Sequence, residues 1–148
     1  MNLERLHSLA LLFLFGCILF AGCSNQNAQL TEPSAADFRN VALQFAKALA
    51  ARDYSGAYAM TSQEFRGRMS QAEMQAGFEA IVPLDWGPID PIEVTATLTE
   101  WRLPEKQPSD LGWVYVTIGG MAYSEAVIVV VTMEDGAPRI RTVEFGRP

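Results

Sequence analysis

Hydrophobic spacing along this chain changes period twice. Leu9 to Phe20 is an apolar run of 12 residues, preceded by a short segment in which Arg5 and the amino terminus face Glu4. A helix that spans a bilayer needs about 20 such residues, so the run is too short to cross and reads as the core of a cleavable signal. Ser24 to Pro33 is polar and without period, the mark of a flexible tether. From Ser34 the spacing turns helical: Phe38, Val41, Ala42, Phe45 and Leu49 share one face, with Ser34 and Asp37 as a near capping box. Arg52-Asp53 interrupts that stripe. Tyr54, Ala57, Tyr58 and Met60 predict a short second helix, and Thr61 with Glu64 and Ser70 with Glu73 predict caps for two more. The last of these carries Met74, Phe78 and Ile81 inward.

Pro83, Gly87, Pro88 and Pro91 end the helical half, because proline removes a backbone donor and clashes with the preceding turn. A period of two follows. Ile92, Val94, Ala96 and Leu98 alternate with polar residues and predict a strand to about Trp101 with one face buried. Leu111 to Ile118 predicts a strand bulky on both faces, with Gly119-Gly120 as a tight turn after it. Tyr123 to Met133 contains the run Ala-Val-Ile-Val-Val-Val, expected of a central strand covered on both faces. Glu134-Asp135-Gly136 is a hairpin signal leading into a last strand, Arg139 to Phe145. The predicted fold is α+β, with N-terminal helices packed on a curved antiparallel sheet of about four strands. The predicted segments are 1–22 signal, 23–33 tether and 34–148 folded domain.

Composition narrows the chemistry. The net charge is -6, and removal of the signal leaves it unchanged because Arg5 and Glu4 leave together. Basic residues are scattered apart from Arg66/Arg68 and Arg139/Arg141, which gives no electrostatic footprint for nucleic acid. The two cysteines are Cys17 and Cys23, and the one histidine is His7. The mature domain is therefore expected to hold neither a thiol nor an imidazole, the groups most often used as nucleophile, metal ligand and neutral-pH base. No cofactor motif occurs. Glu134-Asp135 and the pair Asp85/Asp90 lack the alternating acidic spacing of a calcium loop, so no metal site is expected.

Two resemblances add to this reading. Leu19-Phe20-Ala21-Gly22-Cys23 resembles the lipobox of bacterial lipoproteins, with Phe20 where that family usually has Leu. Leu14-Phe15-Gly16-Cys17 is a poorer match that would cut within the apolar run. The resemblance implies lipidation of Cys23 and membrane anchoring with the domain facing the periplasm. Ser24 after the cysteine, in place of the Asp that retains such proteins at the inner membrane, implies delivery to an outer membrane where the host has one. As a coil of about 10 residues the tether would hold the domain within roughly 15 to 20 Å of the membrane surface. Phe45, Ala48-Leu49, Asp53-Tyr54 and Ala57-Tyr58 resemble the opening of the nuclear-transport-factor-like superfamily, whose domains are cone-shaped. Weaker resemblance to bacterial cone-fold domains, some grouped with SUKH-type immunity proteins, lies in three segments. They are 110–116, 123–127 and 144–148.

Enzymes of the cone superfamily, resembling ketosteroid isomerases and polyketide cyclases, use an Asp base with a Tyr or His partner in a pocket between sheet and first helix. Transferred to this chain, the residues available are Glu125, Tyr123 and Asp53. Glu125 heads the most apolar strand with Tyr123 two residues earlier, so burial of both would raise the carboxyl pKa and offer a phenol donor. The competing expectations are a cross-strand pair of Glu125 with Arg139 or Arg141 and a helix cap at Asp53. Trp86, Trp101, Trp113 and Tyr115 are the aromatic residues available to line a ligand cleft, or to serve as core and rim. The leading expectation is a membrane-tethered, non-enzymatic binding domain for an envelope protein or a small apolar ligand. The alternatives are a pocket enzyme of the isomerase/cyclase kind and an immunity-like factor that neutralises a toxin or envelope enzyme.

Overall fold

A computed structural model describes residues 35–121 and 123–146, with side chains from Phe38 onward. The signal, Cys23, the tether and the cap at Ser34 lie outside the described residues. Four helices come first: α1 (Ala35–Ala50), α2 (Tyr54–Ala59), α3 (Gln63–Arg68) and α4 (Gln71–Ile81). Four strands follow: β1 (Ile89–Leu98), β2 (Asp110–Gly120), β3 (Ser124–Glu134) and β4 (Ala137–Phe145). They form one antiparallel sheet in the order β1-β2-β3-β4, so the architecture is α+β with helices followed by an open sheet. Among the described residues no helix is long and apolar enough to cross a membrane.

The helical stripes bury as their spacing predicts. Phe38, Ala42, Phe45, Ala46 and Leu49 of α1 meet Met74 and Phe78 of α4 and the inner-face residues Val114, Val116, Ile118, Val127, Val129 and Val131. Gly112 belongs to the same face. A Cβ there would stand 2.2 Å from the Phe38 ring, so only glycine lets the start of α1 lie against β2. Between α1 and α2 the chain turns at Arg52, which sits in the left-handed region at φ 61°. A side chain pays roughly 1 to 2 kcal/mol for that conformation. Its guanidinium offsets this by donating to Val82 O and Pro83 O at 3.0 and 2.9 Å, which closes the exposed carbonyl end of α4.

The cap of α4 is the capping box expected at Ser70 and Glu73. The cap of α3 differs from expectation by one residue: Ser62, not Thr61, accepts the Phe65 N–H, at 3.1 Å. Thr61 is held elsewhere, donating to Tyr58 O at 2.7 Å and pairing in parallel with Ile140 of β4. A tertiary contact and the better capping ability of serine therefore both favour Ser62.

The strand expectations also need correction at several points, and β4 starts at Ala137, two residues before the expected Arg139. β1 begins at Ile89 and ends at Leu98, three residues earlier at each end than the alternation implied. A bulge between Val94 and Ala96 leaves Thr95 without an opposite residue, and beyond it Ala96 and Leu98 stand across from Tyr115 and Trp113 on the outer face. The single buried face expected along Ile92, Val94, Ala96 and Leu98 thus holds only for the first two. Gly119 and Gly120 belong to β2, and the turn lies beyond them, closed by Gly120 N donating to Tyr123 O at 2.9 Å. Tyr123 precedes β3 instead of opening it. The apolar run of β3 is buried on both faces from Ala126 to Thr132, as expected of an inner strand. Its second face is covered by residues 99–109: Met133 N donates to Ser109 O at 2.8 Å, and Thr132 Oγ1 bonds Ser109 Oγ at 3.0 Å.

Candidate functional site

The space between α1 and the centre of the sheet, where a cone-type pocket would lie, is filled. Phe45, Leu49, Met74, Phe78, Val114, Val116 and Ile118 have no exposed surface. An open hollow of about 450 Å³ lies at its margin, between Lys47, Ala50 and Ala51 at the end of α1 and Ile89 and Ile92 of β1. The three carboxyl and phenol candidates are not brought together. Asp53 is the N-cap of α2, its Oδ1 accepting from Gly56 N at 2.8 Å. Gly56 is needed there because a Cβ would stand 2.1 Å from that carboxylate. Tyr123 is 64% exposed and rests against the Trp86 ring at 5.0 Å, outside the core. Glu125 is half-buried opposite Ile118. The register excludes its pairing with Arg139, which stands across from Thr132, about 23 Å further along β3. Arg141 is committed to Asp110.

The four aromatic candidates divide among three places. Trp113 and Tyr115 lie together on the outer face of β2, with ring centroids 6.1 Å apart. Trp101 lies in the segment after β1 beneath the Lys106 ammonium, which sits 5.4 Å from its ring centre. Trp86 packs at the far end of β2 against Gly120, where a Cβ would collide with its indole nitrogen. Strand alternation puts Gly120 and Trp113 on opposite faces, so Trp86 and Trp113 cannot line one cleft.

Hollows do occur on the outside. Two flank β4 and share Thr142 and Val143. One, of about 190 Å³, is lined also by Phe65, Arg68 and Met69 on the helix side. The other, of about 360 Å³, lies beneath Leu103 and Pro104 on the outer face, floored by Trp113 and Ile128 and rimmed by Glu144. Leu103 is 84% exposed at the rim of this hollow. A third hollow, of about 310 Å³, joins Ile81, Pro83, Asp85, Trp86 and Tyr123.

Two polar groupings were not foreseen from sequence. At one end of the sheet the Arg141 guanidinium grips Asp110 with two 2.7 Å bonds, both side chains almost wholly buried. Asp110 also accepts Gln107 N at 2.7 Å, and Arg141 donates to Glu105 O at 3.1 Å, so the pair fastens the 99–109 segment to the sheet. The bulge between Val130 and Val131, which puts both Ile140 and Arg141 against one β3 position, turns Arg141 into this site. At the other end Arg52 donates to Tyr54 Oη at 3.1 Å, and Tyr54 Oη donates to Glu79 at 2.8 Å. Burial, with the bond to Glu79, raises the Tyr54 pKa above 10.0. The bonds from Tyr54 and Gln75 lower that of Glu79. Both groupings tie loops and helix ends together, and neither lines the hollows described above. No group of acidic, thiol or imidazole side chains able to hold a metal occurs among the described residues. No family profile, curated protein or solved structure matches the chain.

Proposed function

We propose that the chain is a lipoprotein tethered through Cys23, facing the periplasm, whose folded domain binds another envelope protein and performs no catalysis. In a host with two membranes its place is the outer one. The observation that carries the binding reading is the filled interior, with Asp53, Tyr123 and Glu125 occupying three separate places. General acid-base work needs groups within hydrogen-bond reach of one reacting atom. The outer surface, by contrast, offers hollows on both sides of β4, lined by Phe65 and Met69 on one side and Trp113 and Ile128 on the other, where anchor side chains of a partner can seat. We also propose that the domain is a shallow member of the cone-shaped superfamily. The helix hairpin of Phe45, Ala48, Leu49, Asp53, Tyr54, Ala57 and Tyr58, placed ahead of the sheet, supports that reading.

Cross-linking on native membranes, followed by purification of the tethered chain, tests the function. The expected result is a stoichiometric protein partner whose recovery is unchanged by Glu125→Gln. Turnover of a ketosteroid-like or polyketide-like substrate, lost in Glu125→Gln while the fold survives, would overturn it.

A further inference from the structure

β4 is an edge strand, and its two halves differ. The first half is sealed by the chain itself. Ile140 N donates to Met60 O at 3.0 Å, Ser62 N donates to Ile140 O at 2.9 Å, and Arg68 Nη2 donates to Arg141 O at 2.8 Å. Beyond Arg141 the helices pack on the inner face, with the ring centroids of Phe78 and Phe145 6.2 Å apart, and make no hydrogen bond to the edge among the described residues. Thr142 and Glu144 stand opposite Val130 and Ile128, and Gly146 N donates to Ala126 O at 2.9 Å. In an antiparallel ladder alternate residues bond the neighbour strand, so Val143 and Phe145 turn their N–H and C=O groups away from β3. No described residue meets them. The opposite edge is blunted differently, because β1 carries Pro91 and two bulges, devices that discourage strand addition. Thr142 to Phe145 has no such guard.

We infer that the free half of β4 takes up an extended segment of another protein as a fifth strand. The partner's chemistry follows from the register. A residue placed opposite Val143 shares its face and enters the 190 Å³ hollow between Phe65 and Met69. Its neighbour, opposite Thr142, points the other way into the 360 Å³ hollow beneath Leu103 and Pro104. The residue opposite Glu144, an exposed carboxylate on that outer rim, is best basic. The segment therefore carries two adjacent apolar residues followed on one side by Lys or Arg, held by main-chain bonds as in other strand-addition complexes. A second copy fits less well. Its own Thr142 to Phe145 has no basic residue to set against Glu144, and each chain carries a net charge of -6. This inference rests on reading the domain as an interaction module.

A displayed library of random peptides of about eight residues, panned against the full-length chain in detergent micelles, tests it. Enriched peptides should show the apolar, apolar, basic pattern and slow amide exchange at Val143 and Phe145 at least about tenfold. Binding should weaken at least about tenfold in Val143→Pro, whose lost N–H faces away from β3 and leaves the ladder intact. Leu103→Asp should weaken it likewise, and that exposed position keeps the test valid if the proline variant folds poorly. Peptides that bind both variants unchanged, or protect the Trp86–Tyr123 hollow instead, overturn the edge assignment but leave the interaction reading standing. No enrichment at all also overturns it, and the interaction reading falls with it only if membrane cross-linking finds no partner. A dimer that dissociates in Val143→Pro would give the edge to a second copy and likewise overturn the proposal.

Discussion

Asp110 and Arg141 form the costliest pair to disturb, because each is removed from water and satisfied chiefly by the other. Asp110→Ala leaves a buried guanidinium uncompensated and should destabilise the fold by about 3 to 5 kcal/mol in urea titration. Arg141→Met combined with Asp110→Ala should cost distinctly less than Asp110→Ala alone. Tyr54 and Glu79 give the stability a pH signature. Glu79 titrates lower in the folded state, so its contribution is present above about 4.5 and lost as pH falls through the folded value. Glu73 adds to the same acid arm, its carboxyl lowered first by the Ser70 backbone N–H and then by the Ser70 hydroxyl. Tyr54 titrates higher, so its contribution is present below 10.0 and lost as pH rises through the folded value. Thermal melts of Tyr54→Phe across pH should therefore show both the alkaline and the acid loss reduced.

Elements in this chain are set by local signals until a neighbour intervenes. The box at Ser70 and Glu73 was readable because both partners lie within one turn, whereas the choice between Thr61 and Ser62 rests in part on the contact with Ile140. Ser62→Ala should destabilise the domain by about 1 kcal/mol in denaturant titration through loss of the α3 cap. β1 shows the same limit: alternation identifies a strand, but the bulge that turns Leu98 outward depends on its pairing with β2. The α1–β2 approach is equally hidden, since a lone glycine in a strand pattern does not say what packs on it. Gly112→Ala should cost about 1 to 3 kcal/mol by driving a methyl into the Phe38 ring. Phe38→Leu in the same chain should recover part of the loss, a coupling measurable by a double-mutant cycle.

For the whole molecule, the proposed anchor at Cys23 and the proposed binding edge at β4 lie in different parts of the chain and can be tested apart. Cys23→Ser should move the chain from the membrane to the soluble fraction and remove the acyl mass at its mature N-terminus, with thermal stability of the domain unchanged. Peptide binding at β4 should persist in that variant, since the edge and its hollows are built by residues 59–69 and 99–145. By itself the sequence determined the order of helices and strands, the two-sided burial of β3 and the absence of thiol and imidazole after Cys23. These follow from periodicity and composition, which are local or additive properties. Only the tertiary structure decided that the interior is filled, that Glu125 lies far from Arg139, and that Trp86 and Trp113 lie on opposite faces of β2. It also decided that the second half of β4 has no hydrogen-bonded neighbour on its outer edge among the described residues. Such facts depend on register and on where a bulge falls, and a one-residue shift in either exchanges the faces of everything beyond it.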